Sequence, residues 1–417
     1  MKSFLFIFLT LLIFTVARAQ RTNEVVIGSV DSLYSRILHE ERYFWVHLPA
    51  KTRRAEHREK KYPVLYLLDG ERYFAQVVGM TDLLSAQNGN DFCPEMIVVG
   101  IVNTDRFRDL TPTHESSGLW VDSASGKKSG GGETFFRFLE KELISHIDSS
   151  FPAGPYKMLI GHSLGGLMTI HALVHHSRVF NSYVAIDPSM WWDSQRLLHE
   201  ATSAFNLNSF NGKALFLAMA HTQVPGMDTS SLQLDSTDGT IHPRSILELS
   251  HSLGGAGTHG LQAGFKYYDA ENHGSIPLIA TYDALHFIFS DYALNFQSNY
   301  YSDPAFPLAA FLKDHYALTA AKFGITADDG SPASLPPEDL VNNQGYYVMT
   351  LKQFDKAADL FSMNIKNYPH APKAFDYLGD LYMAKGDTIQ AAASYKRSLS
   401  IKENAETRKK LERIKGS

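Results

Sequence analysis

The chain has 417 residues, 44% of them hydrophobic and 20% charged, and a formal net charge of −5. Both signs are well mixed, so nothing in the charge pattern offers a surface for nucleic acid or an anionic membrane. A single cysteine, Cys93, excludes an internal disulfide, and the length suggests two domains rather than one.

Met1–Ala19 carries one lysine, an apolar run from Phe4 to Val16 and the small-x-small ending Ala17-Arg18-Ala19. This reads as a secretory signal peptide cut before Gln20; the run is short for a bilayer-spanning anchor. No cysteine follows the cut to take a lipid, and no later stretch is apolar enough to span. A soluble, exported chain is expected, periplasmic or extracellular.

Strand patterns follow at Val25–Ile27 and Tyr43–Leu48, then a charged loop over Lys51–Lys61. Val64–Leu68 and Met96–Val102 are continuous apolar runs, as suits strands covered on both faces. Cys93 just before the second run reads as a buried thiol. A polar loop, Thr111–Gly132, is expected to be flexible and to border the mouth of a site. An aromatic-rich helix over Glu133–Ile147 comes next. Further strands are expected at Met158–Ile160, Val184–Ile186, Ala214–Ala218 and Phe265–Tyr268. Strands alternating with helices are the grammar of an α/β fold, a mostly parallel sheet flanked by helices, with chemistry at the strands' carboxyl ends.

Gly161-His162-Ser163-Leu164-Gly165 fits G-x-S-x-G between a strand and a helix. A serine on so sharp a turn is lifted clear of the sheet, and only small neighbours let the flanking segments pass. The Leu164 N–H then points to where an oxyanion would form. The letters alone decide little. His251-Ser252-Leu253-Gly254-Gly255 repeats HSLGG, but Ser250 replaces the needed glycine and a helical pattern precedes it. Context therefore makes Ser163 the candidate nucleophile. His273, in the loop after the last strand, is the candidate base.

Tyr66-Leu67-Leu68-Asp69-Gly70, Arg108-Asp109-Leu110-Thr111-Pro112, the Ser163 turn, Asp187-Pro188-Ser189-Met190-Trp191-Trp192-Asp193 and Glu271-Asn272-His273-Gly274-Ser275 together resemble the putative-esterase branch of the α/β-hydrolases. Ferric-enterobactin esterases, feruloyl esterases and mycolyltransferases belong to that branch. The resemblance spans about Val25 to Phe296. It implies a second oxyanion donor from the backbone of Glu71. It also implies an acid just beyond the strand Ala214–Ala220, where His221-Thr222-Gln223 offers none. Asp228 is then the first candidate and Glu271 the second, with a serine–histidine pair lacking any acid as the third reading. Arg72 is a candidate to hold an acidic or phenolic substrate, or else a surface ion pair. Trp191 and Trp192 read either as an aromatic wall for substrate or as core packing. His171 and His175 have metal-ligand spacing on one helix, but with no third ligand in the sequence pattern they are read as packing. No metal and no cofactor are expected.

After about Tyr300 the strand signals cease. Leu308–Phe323 looks helical and Ala327–Pro337 reads as a linker. Gly345 and Gly379, Ala357 and Ala391, and Phe361 and Tyr395 then repeat at 34 residues, the tetratricopeptide period. The expected organisation is a signal peptide (1–19), an esterase domain (20–300), a helical connector and linker (301–337) and tetratricopeptide-like repeats with a polar capping helix (338–417). Two repeats fall short of a free-standing solenoid. The tail is therefore expected to pack on the connector or the hydrolase domain, or to join another chain.

The expected activity is that of an exported serine carboxylic-ester hydrolase working through an acyl-enzyme. By resemblance its substrates are feruloyl or acetyl esters of polysaccharides, or siderophore lactones. An acyltransferase of the same fold, and a tetratricopeptide-based binding or scaffold protein with a vestigial hydrolase core, are the alternatives.

Overall fold

The computed structural model describes residues 24–49, 52, 60–86, 92–116, 120–223, 226–326 and 335–415. The signal-peptide segment and most of the charged loop and of the linker lie outside the described residues. Eight strands form one sheet: β1 (Ser29–Ser35), β2 (Glu40–His47), β3 (Tyr62–Leu67), β4 (Ile97–Ile101), β5 (Ala153–His162), β6 (Ser182–Ile186), β7 (Lys213–Ala220) and β8 (Leu261–Tyr268). Their spatial order is β1-β2-β4-β3-β5-β6-β7-β8. β1 and β2 are antiparallel additions at one edge, and every other neighbouring pair is parallel.

The helices that matter below are α1 (Gly70–Ala86), α2 (Arg106–Leu110), α3 (Gly132–Phe138), α4 (Leu164–His175), α5 (Trp192–Leu207), α6 (Ile241–Thr258), α7 (Ile276–Ile288) and α8 (Leu308–Phe323). Five more make up the tail: α9 (Glu338–Thr350), α10 (Phe354–Asn367), α11 (Pro372–Ala384), α12 (Thr388–Ile401) and α13 (Ala405–Lys415).

The continuous apolar runs are explained by the layering. In β3 all six residues are buried. Val64, Tyr66 and Leu68 enter one core, with α3 and α4. Leu65 and Leu67 enter the opposite one, with α1 and α7. Period-two alternation thus feeds both faces, and no polar face remains. Cys93 is buried in the second core.

Two expected elements differ. Val25–Ile27 is not a strand; it is exposed, and pairing starts only at Ser29, opposite Val46. β2 ends at His47, so residues before Ser29 run past their partner's end; there the His47 ring bonds the Ile27 carbonyl (Nδ1 to O, 2.6 Å). The helix expected over Glu133–Ile147 is interrupted: α3 passes into a π-helical turn at Leu139–Leu143 and resumes as Ile144–Ser150.

In the tail, a side chain on Gly345 would strike the Phe361 ring, and one on Gly379 the Tyr395 ring. The two hairpins, α9–α10 and α11–α12, therefore repeat one close helix crossing at the 34-residue spacing. The first hairpin shares a core with α8 through Leu308, Leu312, Val341, Val348 and Phe361. The far end of α8 carries Phe323 into the sheet core against Tyr156 and Phe289. One helix thus ties the tail to the sheet.

Candidate active site

β3 lies between β4 and β5, so the chain reverses its direction across the sheet there, and a crevice opens beyond the strands' carboxyl ends. Three residues with positive φ stand at that edge, each directly after or one residue beyond a strand: Asp69 (55°), Ser163 (60°) and Asp187 (42°). Non-glycine residues in this region carry strain that surrounding contacts must hold. At Ser163 those contacts are its N–H to the Ile186 carbonyl (3.0 Å) and its own carbonyl accepting Leu167 and Ser189 N–H (2.9 and 3.1 Å). Gly161 is required for the same turn, because a Cβ there would overlap the Gly165 carbonyl.

Ser163 is the N-cap residue of α4, and Leu164 is the first helical residue, so the Leu164 N–H has no acceptor within the helix. The turn after β3 lies against it: a Cβ at Gly165 would touch Asp69 and Leu68. Glu71 is in the first turn of α1, and its N–H is likewise free of an intrahelical acceptor. Its carboxylate turns away to Asn103, bonding Nδ2 at 2.7 Å. Two helix N-termini therefore converge beside the serine.

His273 Nδ1 lies 2.6 Å from Asp187 Oδ2. With that proton on Nδ1, the Nε2 lone pair is free to act as a base. The same Oδ2 meets His242 Nε2 at 3.0 Å, and Oδ1 accepts the Ala220 N–H at 2.9 Å. Burial alone would raise the pKa of Asp187. The bonds from His242 and His273 outweigh it and hold the carboxyl well below the usual carboxylate range. A buried anion therefore stands behind the candidate base, His273.

Sequence reasoning placed the acid elsewhere. Asp228 caps the short helix Thr229–Leu234, accepting the Ser231 N–H at 2.7 Å, and is exposed. Glu271 meets the neighbouring loop through its carbonyl, which accepts His221 N–H at 2.8 Å. Among the described residues no hydrogen bond joins either carboxylate to His273. The strand register explains the difference. β6 sits directly beside β5, so the residue following Ile186 is one strand from Ser163. Asp187 follows a buried apolar strand, and no local pattern marks it, rather than a residue beyond β7, as the partner of His273.

Ser163, Leu164, Ser189, His242 and His273 line a cavity of about 380 Å³. Ser163 Oγ is 3.3 Å from Ser189 Oγ. Arg106, Phe107, Trp120 and Trp191 form much of the remaining wall, with Thr222, Gly239 and Pro243. Trp120 and Trp191 meet edge to face at 5.0 Å. Trp192 is a core residue, 1% exposed, with its indole N–H donated to the Thr113 carbonyl at 3.0 Å. The two tryptophans thus divide the two sequence readings between them.

Arg72 is exposed and away from this wall. The cavity's guanidinium is that of Arg106, held by Asp69 through Nε (2.7 Å) and Nη2 (2.9 Å). Thr111–Gly132 does border the mouth, through Trp120, and it is anchored: Thr113 holds Trp192, and the Glu115 carboxylate accepts the Asp193 N–H at 2.7 Å. Behind the site, burial and then the nearby His273 push His162 down to about 4, so its ring is neutral. Its Nδ1 faces the Tyr73 hydroxyl at 3.1 Å.

Residues 35–215 match the family model described as "Putative esterase". Among characterised relatives, the ferri-bacillibactin esterase BesA of Bacillus subtilis is 25% identical over 236 residues, 54% of this chain and 78% of its own length. The siderophore triacetylfusarinine C esterase of Aspergillus fumigatus is 30% identical over 142 residues, 33% of this chain and 48% of that protein. Among solved structures, an IroE-like serine hydrolase from Shewanella oneidensis superposes with a TM-score of 0.63 at 28% identity, covering 81% of this chain and 98% of that one. The strand order and the serine turn described above are those of an α/β-hydrolase fold, residues 35–215 match the putative-esterase family, and the chain is a carboxylic-ester hydrolase.

Proposed function

We propose that the chain is an exported serine esterase that opens ester bonds of siderophores through an acyl-enzyme. The reading is carried by one observation: the 2.6 Å bond from His273 to buried Asp187, on a histidine lining the same cavity as Ser163. In the proposed reaction Ser163 Oγ turns from Ser189 toward His273 Nε2, gives up its proton and attacks the ester carbonyl. The oxyanion is held by the N–H groups of Leu164 and Glu71, a contribution of about 3 kcal/mol per donor. His273 then protonates the leaving alcohol and afterwards activates water to release the acid.

The substrate class is supported by the relatives, whose names specify siderophore esters. The aromatic wall of Phe107, Trp120 and Trp191 suits flat or extended acyl groups. Feruloyl or acetyl polysaccharide esters, and transfer to an alcohol other than water, are the competing arms. The bond from His273 to buried Asp187 and the strained serine turn argue against a vestigial core. The repeated glycine–aromatic crossings support reading residues 338–417 as two tetratricopeptide-like units with α13 as cap, joined through a 301–337 connector to a 20–300 esterase domain. That tail could also hold a protein partner or a second copy of the chain.

The test is turnover of p-nitrophenyl acetate, a ferric trilactone siderophore, a hydroxamate siderophore ester and a methyl ferulate by the chain and by Ser163→Ala. A siderophore ester should give the highest kcat/KM, and the variant should lose at least about a thousandfold. Equal rates in chain and variant sink the mechanism; a feruloyl preference sinks the substrate assignment. Export is tested by fractionating cells that express the full chain, with cleavage expected after Ala19.

A further inference from the structure

The carboxyl half of α4 ends in a group that the esterase chemistry does not use. The Glu133 carboxylate, from the first turn of α3, meets His171 Nε2 at 3.2 Å and His176 Nε2 at 3.0 Å through the same oxygen, Oε2. The three donor atoms all lie within 4.8 Å of one another. His175 stands beside them, its ring 4.7 Å from that of His171, and bonds Glu200 across the same cleft at 3.0 Å. We propose that Glu133, His171 and His176 form a binding site for a borderline divalent cation, Zn²⁺ by preference, that cross-links α3 to the end of α4.

Four observations support it. First, the spacing is suitable. Tetrahedral zinc with ligands at about 2.0–2.1 Å needs donor atoms about 3.3 Å apart, and two of the three separations are already 3.0 and 3.2 Å. The third separation, between the two imidazoles, is within 4.8 Å. Second, the ligands are in usable form. Both histidines offer Nε2 and the glutamate offers Oε2, donors of the kinds that zinc takes. On binding, the Nε2 proton that each imidazole donates to Glu133 is released to solvent, the neutral ring takes its proton on Nδ1 instead, and Nε2 turns to the cation.

Third, the rings are held. His176 stacks on Phe136 at 4.2 Å with 20° between planes, and the His171 side chain is 10% exposed between helices. Fixed ligands lose little rotational freedom when the ion arrives. Fourth, there is access. A cleft of about 220 Å³, lined by Glu133, His171, His175, Arg196 and Glu200, opens onto the group and leaves room for water as a fourth ligand. Two imidazoles and a carboxylate select zinc, copper or nickel over magnesium and calcium. The serine is toward the other end of the same helix, roughly 12 Å along it from His171 and about 20 Å from His176 at 1.5 Å per residue, so the ion is a brace and not a participant in hydrolysis.

The experiment uses the untagged full chain, stripped with chelator and dialysed against ZnCl₂. Metal content by mass spectrometry, titration calorimetry and the thermal midpoint are measured for the chain, Glu133→Gln, His176→Ala and His242→Gln. One zinc per chain is expected, with a higher midpoint in zinc. Glu133→Gln and His176→Ala should weaken binding at least tenfold and leave p-nitrophenyl acetate turnover unchanged. His242→Gln, at the Asp187 cluster, should keep the zinc. Circular dichroism checks that each variant folds, and Glu133→Gln preserves shape if His176→Ala does not. Absence of stoichiometric zinc, or zinc retained in both cluster variants, overturns the proposal. So does loss of the zinc only in His242→Gln.

Discussion

Asp187 Oδ2 and His273 Nδ1 are 2.6 Å apart, and the carboxylate, fully enclosed, reaches the histidine from the end of β6. The parallel register aligns Ile186 with His162 on one side and Ala218 on the other, so the residue after Ile186 is central among the catalytic-edge loops. Asp187→Asn keeps the shape but removes the charge that orients the imidazole and stabilises its protonated form. Turnover of p-nitrophenyl acetate should fall by about 10²–10⁴-fold with little change in KM. Asp228→Asn and Glu271→Gln should stay within about threefold of the parent. If either of those costs as much as Asp187→Asn, the acid has been misassigned.

The aromatic pair gives a second separation. Trp191 lines the cavity, whereas Trp192 is enclosed with its N–H bonded to Thr113. Trp191→Ala should raise KM for a siderophore ester by about tenfold and leave the unfolding midpoint nearly unchanged. Trp192→Ala opens a hole in the core and strands a carbonyl, at a cost of about 3–5 kcal/mol. Urea unfolding read beside steady-state kinetics distinguishes them. A stability loss in Trp191→Ala equal to that in Trp192→Ala would show that Trp191 is also structural.

Much of the site could be read in the sequence wherever local chemistry and chain order coincide. The Gly161–Gly165 turn, the apolar runs of β3 and β4 and the 34-residue glycine–aromatic spacing each leave a mark in neighbouring residues or at one repeating interval. The acid, the guanidinium and the cation cluster were not legible in this way. Asp187 meets His273 across 86 residues, Arg106 meets Asp69 across 37, and Glu133 meets His171 across 38. Such pairs depend on which strands and helices lie side by side, and local pattern carries no record of that. The same limit explains the choice of Arg72, adjacent in sequence to the oxyanion turn yet exposed and outside the cavity wall, over Arg106.

Gly161 offers a test of the serine turn that leaves the reacting groups untouched. Its Cβ position is occupied by the Gly165 carbonyl and closely approached by the Thr169 hydroxyl, 2.7 Å away. Gly161→Ala must push β5 and α4 apart, costing about 1–3 kcal/mol by overpacking and displacing Ser163 from the oxyanion donors. A displacement near 1 Å is enough to lower turnover about a hundredfold. The control is Gly254→Ala in the repeated letters at Ser252, inside a helix and with nothing within 4 Å, which should leave the rate unchanged and, if anything, raise stability by up to about 1 kcal/mol. Equal effects of the two substitutions would refute the strained-turn account.

His162 sets a pH dependence of stability that is separate from that of Asp187. Burial, with His273 adding to it, lowers His162 to about 4, against about 6.5 in an unfolded chain. Between those values the unfolded chain binds a proton that the folded one refuses, so folding stability falls as pH drops from about 6.5 toward 4. One such group contributes a slope of about 1.4 kcal/mol per pH unit, and His171, lowered in the same direction, adds to it. Asp187 has the opposite displacement relative to its charge. Its depressed carboxyl stabilises the fold above the unfolded value near 4 and loses that contribution only below it. Urea unfolding at intervals from pH 7.5 to 4.5 therefore isolates the histidines. The parent should lose stability steadily below pH 6.5, and His162→Phe, which keeps a ring in the space but cannot take a proton, should lose it with a slope smaller by about one proton. A flat parent profile over that range, or identical slopes in parent and variant, would show that His162 is protonated in the folded chain.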